Sequence, residues 1–301
     1  MIELRTQSGA RALAALVSGR ADVGDVPDDR LDDLRIRYPA QVHITPRAAT
    51  ILVHLNTTRP PFDSLAARRG VAFAIDRGRL VELAGGNEVV QSTCQVLPPS
   101  SPGYRPFCPH TTRPNAGSWT APDLTRAREL VRRSGTRGMR VDLITVRGNA
   151  LFAGAATVVA AALRQLGYRV SLRTYPDFGS YFSAYGSRAR SVEVAFNGWI
   201  QDYPAPSNFI TGVFACNPYF CDPAVEARTR RVLAVQAREP EAATELWARL
   251  ERELVERAVA IPLVNPKRIA FVSKRVGNFQ QHPVLGTLIS QLWVRQAAAG
   301  G

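Results

Sequence analysis

Arg140-Val141-Asp142-Leu143-Ile144-Thr145-Val146 is followed by the Ala-rich run Ala150 to Leu166, closed by Gly167, and then by Tyr168-Arg169-Val170-Ser171-Leu172-Arg173-Thr174. The outer pieces carry β-branched and apolar residues in strand-length runs, and the middle one has helical length and spacing. This is a β-α-β unit, so its strands are expected to pair in parallel with a right-handed crossover, which predicts an α/β fold. Just upstream, Asp123 is placed to cap a helix running to Ser134, with Leu124, Ala127, Leu130 and Val131 on its buried face and Gly135 past its end. Downstream, a helix around Asp177 to Tyr185 leads to Val192-Glu193-Val194-Ala195-Phe196, a further strand of the same sheet.

That last strand delivers Asn197-Gly198-Trp199-Ile200-Gln201-Asp202-Tyr203-Pro204-Ala205-Pro206-Ser207-Asn208, which reads as a loop stiffened by its prolines. A lone carboxylate between aromatic rings suits a cation such as a peptide's α-amino group, because the rings supply desolvated walls and cation–π attraction. The competing reading has Trp199 and Tyr203 plugging the core at a strand end while Asp202 caps a turn. Ligands of open α/β sheets sit beyond the carboxyl ends of the strands, so Arg147 and the segment from Asn197 are expected on one edge.

Outward from this centre, residues 6 to 18 have the pattern of a helix ended by Gly19, and Ala21 to Gly24 that of a short strand. Asp28-Asp29-Arg30-Leu31-Asp32-Asp33 is read as a solvated helix start instead of a carboxylate metal cluster. Two strands are expected at Val42–Thr45 and Thr50–Asn56, followed by a break at Arg59-Pro60-Pro61-Phe62-Asp63 that is taken as a domain boundary. Helices follow from about Ser64 to Ile75 and, capped by Asp76, to Leu83. Residues 91 to 121, rich in Pro, Gly and Ser, lack periodicity and are read as a surface crossing or the mouth of a pocket. After Cys221 come two helices, about Pro223 to Arg238 and Pro240 to Ala258, with Trp247 in the core, and then strands at Val259–Val264 and Arg268–Val272.

With 301 residues and 46% hydrophobic content the chain has material for two domains, and no apolar run is long enough to span a bilayer. The N-terminus from Met1 has no apolar export signal. The formal charge of +13 invites a nucleic-acid reading. Only Lys267 and Lys274 are lysines, however, and the 38 basic residues are spread along the whole chain, which fits GC-rich codon usage better than a phosphate-binding stripe.

Cys94 and Cys108 lie 14 apart and Cys216 and Cys221 lie 5 apart, each pair in a Pro-containing loop, so two local disulfides and an oxidising compartment are expected. A zinc site is the weaker alternative, because neither spacing is a Cys-x-x-Cys knuckle and His43, His54, His110 and His282 are scattered singly. No metal ligand set, cofactor motif or catalytic triad stands out. A hydrolase reading would need a second carboxylate beside Asp202, for which Asp177 and Asp222 are the candidates.

Leu55-Asn56-Thr57 with Pro60-Pro61-Phe62-Asp63, Ala74-Ile75-Asp76-Arg77, Gly198-Trp199 with Asp202-Tyr203-Pro204, and Ile261-Pro262-Leu263 together resemble, in order and spacing, the family 5 solute-binding proteins. These are the extracytoplasmic dipeptide- and oligopeptide-binding receptors of ABC importers. Cys94-Gln95-Val96-Leu97-Pro98, Pro102-Gly103-Tyr104 and Cys108-Pro109 look like an actinobacterial branch of that family. The resemblance implies a periplasmic-binding-protein type II clamshell, of which this chain holds mostly the C-terminal lobe: residues 1–55 as part of the first lobe, 56–274 as the ligand-binding lobe, and 275–301 as a return to the first lobe with a tail. It also implies that the chain begins inside the first lobe of a longer parent that is extracytoplasmic and monomeric and works with ABC permease subunits.

In peptide-binding members the Asp three residues after the Trp pairs with the ligand's α-amino group, a role that falls on Asp202 beside Trp199, with Asn197 and Tyr203 in the same segment. Arg147 occupies a place similar to that of the Arg which meets the ligand carboxylate in dipeptide-binding members. Cys216 and Cys221 match a loop that is disulfide-bonded in some relatives. The sequence departs from the common Asp-Tyr-Pro-Asp-Pro pattern at Ala205, so one acidic group is absent. The expectation is a binding module for short peptides or similar solutes, without catalysis; the alternatives are a ligand-sensing module of a regulatory fusion or a truncated remnant.

Overall fold

The computed structural model describes residue 3 and residues 9–27, 30–187 and 192–295, and the chain forms two compact units, one of residues Ala48–Asn265 and one drawn from Met1–Arg47 and Pro266–Gly301. The smaller unit begins with α1 (Gly9–Val17), which buries Leu13 and Leu16. Leu16 lies against Gly24 of β1 (Val23–Asp25), where an added Cβ would come within 3.0 Å of its methyl carbon. Helix α2 (Leu31–Arg37) buries Leu31 and Leu34, and Asp33 in its first turn pairs with Arg30 and Arg37, each at 2.9 Å. The acidic residues expected to open this helix, Asp28 and Asp29, lie outside the described residues, as do positions 6–8 of the expected first helix. Strand β2 (Val42–Pro46) completes the N-terminal part.

The larger unit follows in the order β3 (Ala49–Leu55), α3 (Leu65–Ala74), α4 (Arg77–Leu83), β4 (Val90–Ser92), α5 (Leu124–Ser134), β5 (Arg140–Val146), α6 (Ala150–Gln165), β6 (Arg169–Tyr175), α7 (Phe178–Gly186), β7 (Val194–Ile200), α8 (Pro206–Phe214), α9 (Pro223–Gln236), α10 (Pro240–Glu256) and β8 (Ala260–Val272). The first half of β8 belongs to this unit. Its second half, in the smaller unit, pairs antiparallel with β1 and β2. Short strands β9 (Val276–Gly277), β10 (Gln281–His282), β11 (Gly286–Thr287) and β12 (Trp293–Val294) pair as β10–β11 and β9–β12.

Within the larger unit the strands run β8-β3-β7-β5-β6, with β4 on β8. As expected, β5 and β6 pair in parallel through the α6 crossover, from Arg140↔Arg169 to Val146↔Tyr175. Strand β7 is parallel to β5 and antiparallel to β3, so the sheet is mixed. Ser64, Asp76, Asp123, Asn149, Asp177 and Asp222 cap their helices through side-chain oxygens, which satisfies backbone N–H groups that no preceding turn can reach. Helices α3 and α5 approach closely at Gly70, where a Cβ would meet Val131 at 2.8 Å. Helices α8, α9 and α10 enclose an apolar cluster with fully buried Phe209, Trp247 and Leu254, and the indole N–H of Trp247 donates to Gln236 Oε1 at 2.7 Å.

Three expectations change. The strand expected to end at Phe196 runs on to Ile200, because every residue of β7 pairs with β3 from Ala49↔Ile200 to Leu55↔Val194. The two strands expected at 259–264 and 268–272 are one, since Pro266 and Lys267 stay extended within β8. Helix α8 was hidden inside the Pro-rich stretch, where Pro206 opens a helix that needs no N–H at its first position.

Of residues 91–121, read as a surface crossing or a pocket mouth, the first part turns inward while 112–116 stay exposed. Cys94 and Cys108 are bonded with Cα atoms 5.1 Å apart, and Val96, Leu97 and Phe107 are buried. Glu251 of α10, 1% exposed, accepts the Leu97 N–H at 2.7 Å and the Gln95 side-chain amide at 3.4 Å, while Gln95 Oε1 takes the Phe107 N–H at 3.0 Å. Burial pushes the Glu251 carboxyl up to about 7 against these hydrogen bonds, which favour its charged form. A second disulfide joins Cys216 and Cys221, with Cα atoms 4.2 Å apart, so both expected pairings form and all four thiols are occupied. No described helix is long and apolar enough to cross a membrane.

Candidate functional site

The turn from β7 into α8 is built around Asn208. Its side-chain Oδ1 accepts the Trp199 indole N–H at 2.9 Å and the Asp202 backbone N–H at 3.1 Å, and its Nδ2 donates to Asp202 Oδ2 at 3.1 Å. One buried amide, 4% exposed, thus ties the last inward-facing ring of the strand to an exposed carboxylate. The turn is held to the sheet by Gln201, whose N–H donates to Ala48 O at 2.9 Å. The Trp199 ring lies over Gly212 of α8, where an added Cβ would come to 2.4 Å from it; only glycine lets the indole rest there.

The remaining expected site residues fall in different places. Tyr203 is 45% exposed, with its hydroxyl 3.4 Å from Ser207 Oγ. Arg147 follows β5 directly, its N–H donating to Tyr175 O at 2.8 Å, and its side chain is exposed. Because β5 and β7 are parallel with Ile144 opposite Ala195, Arg147 stands level with Gly198 on the edge that carries the turn. Asn197 lies inside β7 instead of in a loop; its Oδ1 accepts the Gly198 N–H at 2.8 Å and its Nδ2 donates to Tyr185 at 3.4 Å. The structure therefore groups Trp199, Asp202 and Tyr203, places Arg147 on the same edge, and engages Asn197 elsewhere.

The sequence reading missed Asn208, although it closed the quoted stretch. An Asn two residues after a helix-opening Pro was the available signal, since a residue that competes for backbone hydrogen bonds is retained near a helix start for what its side chain holds. The carboxylates weighed as partners of Asp202 are engaged in other work: Asp177 caps α7 through the Ser180 N–H at 2.8 Å, and Asp222 caps α9 and pairs with Arg257 at 2.7 Å.

What the turn offers chemically is an oriented, exposed carboxylate beside an indole wall. Asp202 Oδ2 is positioned by Asn208 and the group remains open to a donor from solvent. A primary ammonium is the natural complement, since it brings both charge and several N–H donors.

Solved structures with the same architecture are type II periplasmic-binding proteins. Clavulanic acid biosynthesis oligopeptide binding protein 2 superposes with a TM-score of 0.82 at 24% identity, covering 94% of this chain and 54% of its own. The dipeptide binding protein from Pseudoalteromonas sp. SM9913, in complex with Met-Leu, gives 0.74 at 18% identity, covering 96% and 57%. In sequence, the probable di/tripeptide-binding protein 5 of Pseudomonas aeruginosa (strain UCBPP-PA14) is 25% identical over 260 residues, which is 81% of this chain and 45% of the relative. The periplasmic oligopeptide-binding protein OppA of Escherichia coli (strain K12) is 21% identical over 274 residues, 87% and 48%. The chain spans about half the length of the curated relatives it matches.

The fold is thus that of the type II periplasmic-binding class. The sequence profile for bacterial extracellular solute-binding proteins, family 5 Middle, matches residues 1–220, and the chain belongs to that family.

Proposed function

We propose that this chain is the ligand-binding part of the substrate-binding component of an ABC-type peptide importer, acting without catalysis on short peptides or similar solutes. In this reading residues 56–274 are the C-terminal ligand-binding lobe, and residues 1–55 and 275–301 belong to the first lobe of a longer, extracytoplasmic parent that hands its solute to permease subunits. Asp202 receives the peptide's α-amino group, Trp199 walls the pocket, Tyr203 flanks it, and Arg147 reaches the ligand carboxylate from the same sheet edge. The observation that carries the reading is the Asn208 amide, which fixes the Asp202 carboxylate beside Trp199 while leaving it exposed. The names of the relatives support peptides as the solute class, and the engagement of Asp177 and Asp222 in helix caps speaks for binding over hydrolysis.

Calorimetric titration of the 301-residue chain with a dipeptide and its N-acetylated form tests this. The expected result is saturable binding that favours the free amine, with Asp202→Ala costing several-fold more for the free than for the acetylated ligand. Equal losses for both ligands would remove Asp202 from the role of amine receptor. Absence of binding by a folded wild-type chain would show that this part alone does not carry the pocket.

A further inference from the structure

The sheet of the larger unit opens between two of its strands. Strand β5 stays with β6 to Val146↔Tyr175, and β7 stays with β3 to Ala49↔Ile200, yet β5 and β7 pair only at Leu143↔Val194 and Ile144↔Ala195. Chain order explains where the opening lies. From β5 the α6 crossover steps outward to β6, whereas the α7 connection from β6 passes back over β5 to β7. Open α/β sheets take ligands where successive connections depart in opposite senses, and that point here lies between Arg147, which follows β5, and the turn that follows β7.

A hydroxyl occupies the gap. Tyr181 of α7, 0% exposed, accepts the Phe196 N–H at 2.8 Å and donates to Phe196 O at 2.5 Å. A phenol is donor and acceptor at once, so one oxygen satisfies both backbone groups that β5 leaves behind. Burial pushes the phenol up from its ordinary value, so the proton that it donates stays in place. Paired strands lie about 4.8 Å apart, too close to admit a hydroxyl between them, and the Tyr181 oxygen therefore keeps β5 beyond ladder distance at Phe196.

Gly198 lies two residues on and points its N–H to the same side of β7. Asn197 Oδ1 takes that N–H at 2.8 Å, so the next donor is closed to β5 as well. The Tyr181 ring is itself fixed: Phe152 of α6 and Phe182 stand 6.0 and 5.3 Å from it between centroids, and α7 opens on the Asp177 cap.

We propose that Tyr181 is a positioning residue of the peptide site: its hydroxyl, wedged against Phe196, sets the gap between the ends of β5 and β7, and with it the reach from Arg147 to Asp202 and the length of peptide that spans them. The inference rests on the assignment of those two residues to the ligand's carboxylate and amine. Without the hydroxyl, the strand available to the Phe196 N–H and C=O on that side is β5. Strand β7 then closes on β5, and shorter peptides gain.

Tyr181→Phe removes the hydroxyl and keeps the ring. Tyr168→Phe is the control, because Tyr168 is also buried and loses a comparable bond, to Thr136 Oγ1 at 2.7 Å, at the far end of β6. The test is to crystallise the wild-type 301-residue chain and both variants without ligand, and to titrate each calorimetrically with di-, tri- and tetraalanine. In Tyr181→Phe the pairing of β5 with β7 should extend past Ile144↔Ala195, and affinity for the shortest peptide relative to the longest should rise about tenfold, the worth of roughly one hydrogen bond. Tyr168→Phe should lose stability and leave both unchanged. The inference is overturned if Tyr181→Phe keeps the wild-type gap, if its length preference matches the wild type, or if Tyr168→Phe shifts that preference equally. A folded wild type that binds none of the peptides removes the reading of the site instead, and the wedge is then decided by the crystal structures alone.

Discussion

Asn208 and Asp202 are joined side chain to side chain at 3.1 Å, and the same amide oxygen also takes the Trp199 indole N–H. The carboxylate offered to solvent is in this way coupled to the packing of α8, because any displacement of Asn208 moves the wall and the charge of the site together.

Replacing Asn208 with Ala leaves the Trp199 indole N–H and the Asp202 backbone N–H without their acceptor. The expected cost is about 1–3 kcal/mol of stability, measured by chemical denaturation. A second readout is binding: Asn208→Ala should narrow the preference for free over N-acetylated dipeptide, since Asp202 loses its orientation but keeps its charge.

Gly212→Ala places a methyl 2.4 Å from the Trp199 ring, closer than any real contact permits. The ring is tethered by its bond to Asn208, so the indole or α8 must shift. A loss of about 1–3 kcal/mol is expected. Tryptophan emission should move to the red as Trp199 gains water, a change that an unperturbed spectrum would rule out.

Stability should depend on pH through Glu251. Its carboxyl is raised from 4.5 to about 7 in the folded chain by burial, so the unfolded chain gives up the proton first and deprotonation favours unfolding. The contribution is complete below about 4.5 and lost as pH rises through 7, amounting to roughly 3 kcal/mol at about 1.4 kcal/mol per unit. Unfolding of wild type and Glu251→Gln, compared from pH 4.5 to 8, should show the advantage of the wild type shrinking with rising pH. The buried His54, lowered to about 4, acts in the opposite sense as pH falls below 6.5, and the variant should keep that loss.

Reduction of the Cys94–Cys108 bridge, which closes a loop of 14 residues in sequence separation, should cost about 3 kcal/mol in the chain-entropy description. The Cys216–Cys221 bridge, at a separation of 5, should cost less. Paired Cys→Ser variants, unfolded with and without reductant, check the order; a larger effect from the shorter loop would contradict it.

Much of this protein was determined by local sequence alone. The β-α-β unit follows from runs whose period and length fit only one element each, and the caps at Asp76 and Asp123 follow from short polar side chains standing where helix N–H groups need acceptors. The family was legible because four short motifs keep their order along the chain, and the disulfides because each pair is close in sequence. Tertiary structure alone decided the rest. Gly198 and Trp199 became strand because β3, far away in sequence, supplies a ladder of hydrogen bonds that no local rule contains. Residues 93–108 went inward because Glu251 and Gln95 meet their N–H groups there, which removes the penalty that ordinarily keeps irregular backbone at the surface. Asn208 drew its meaning from the same source: its neighbours in space, Trp199 and Asp202, are set by the angle at which α8 leaves the sheet, and that angle is fixed by Trp199 resting on Gly212.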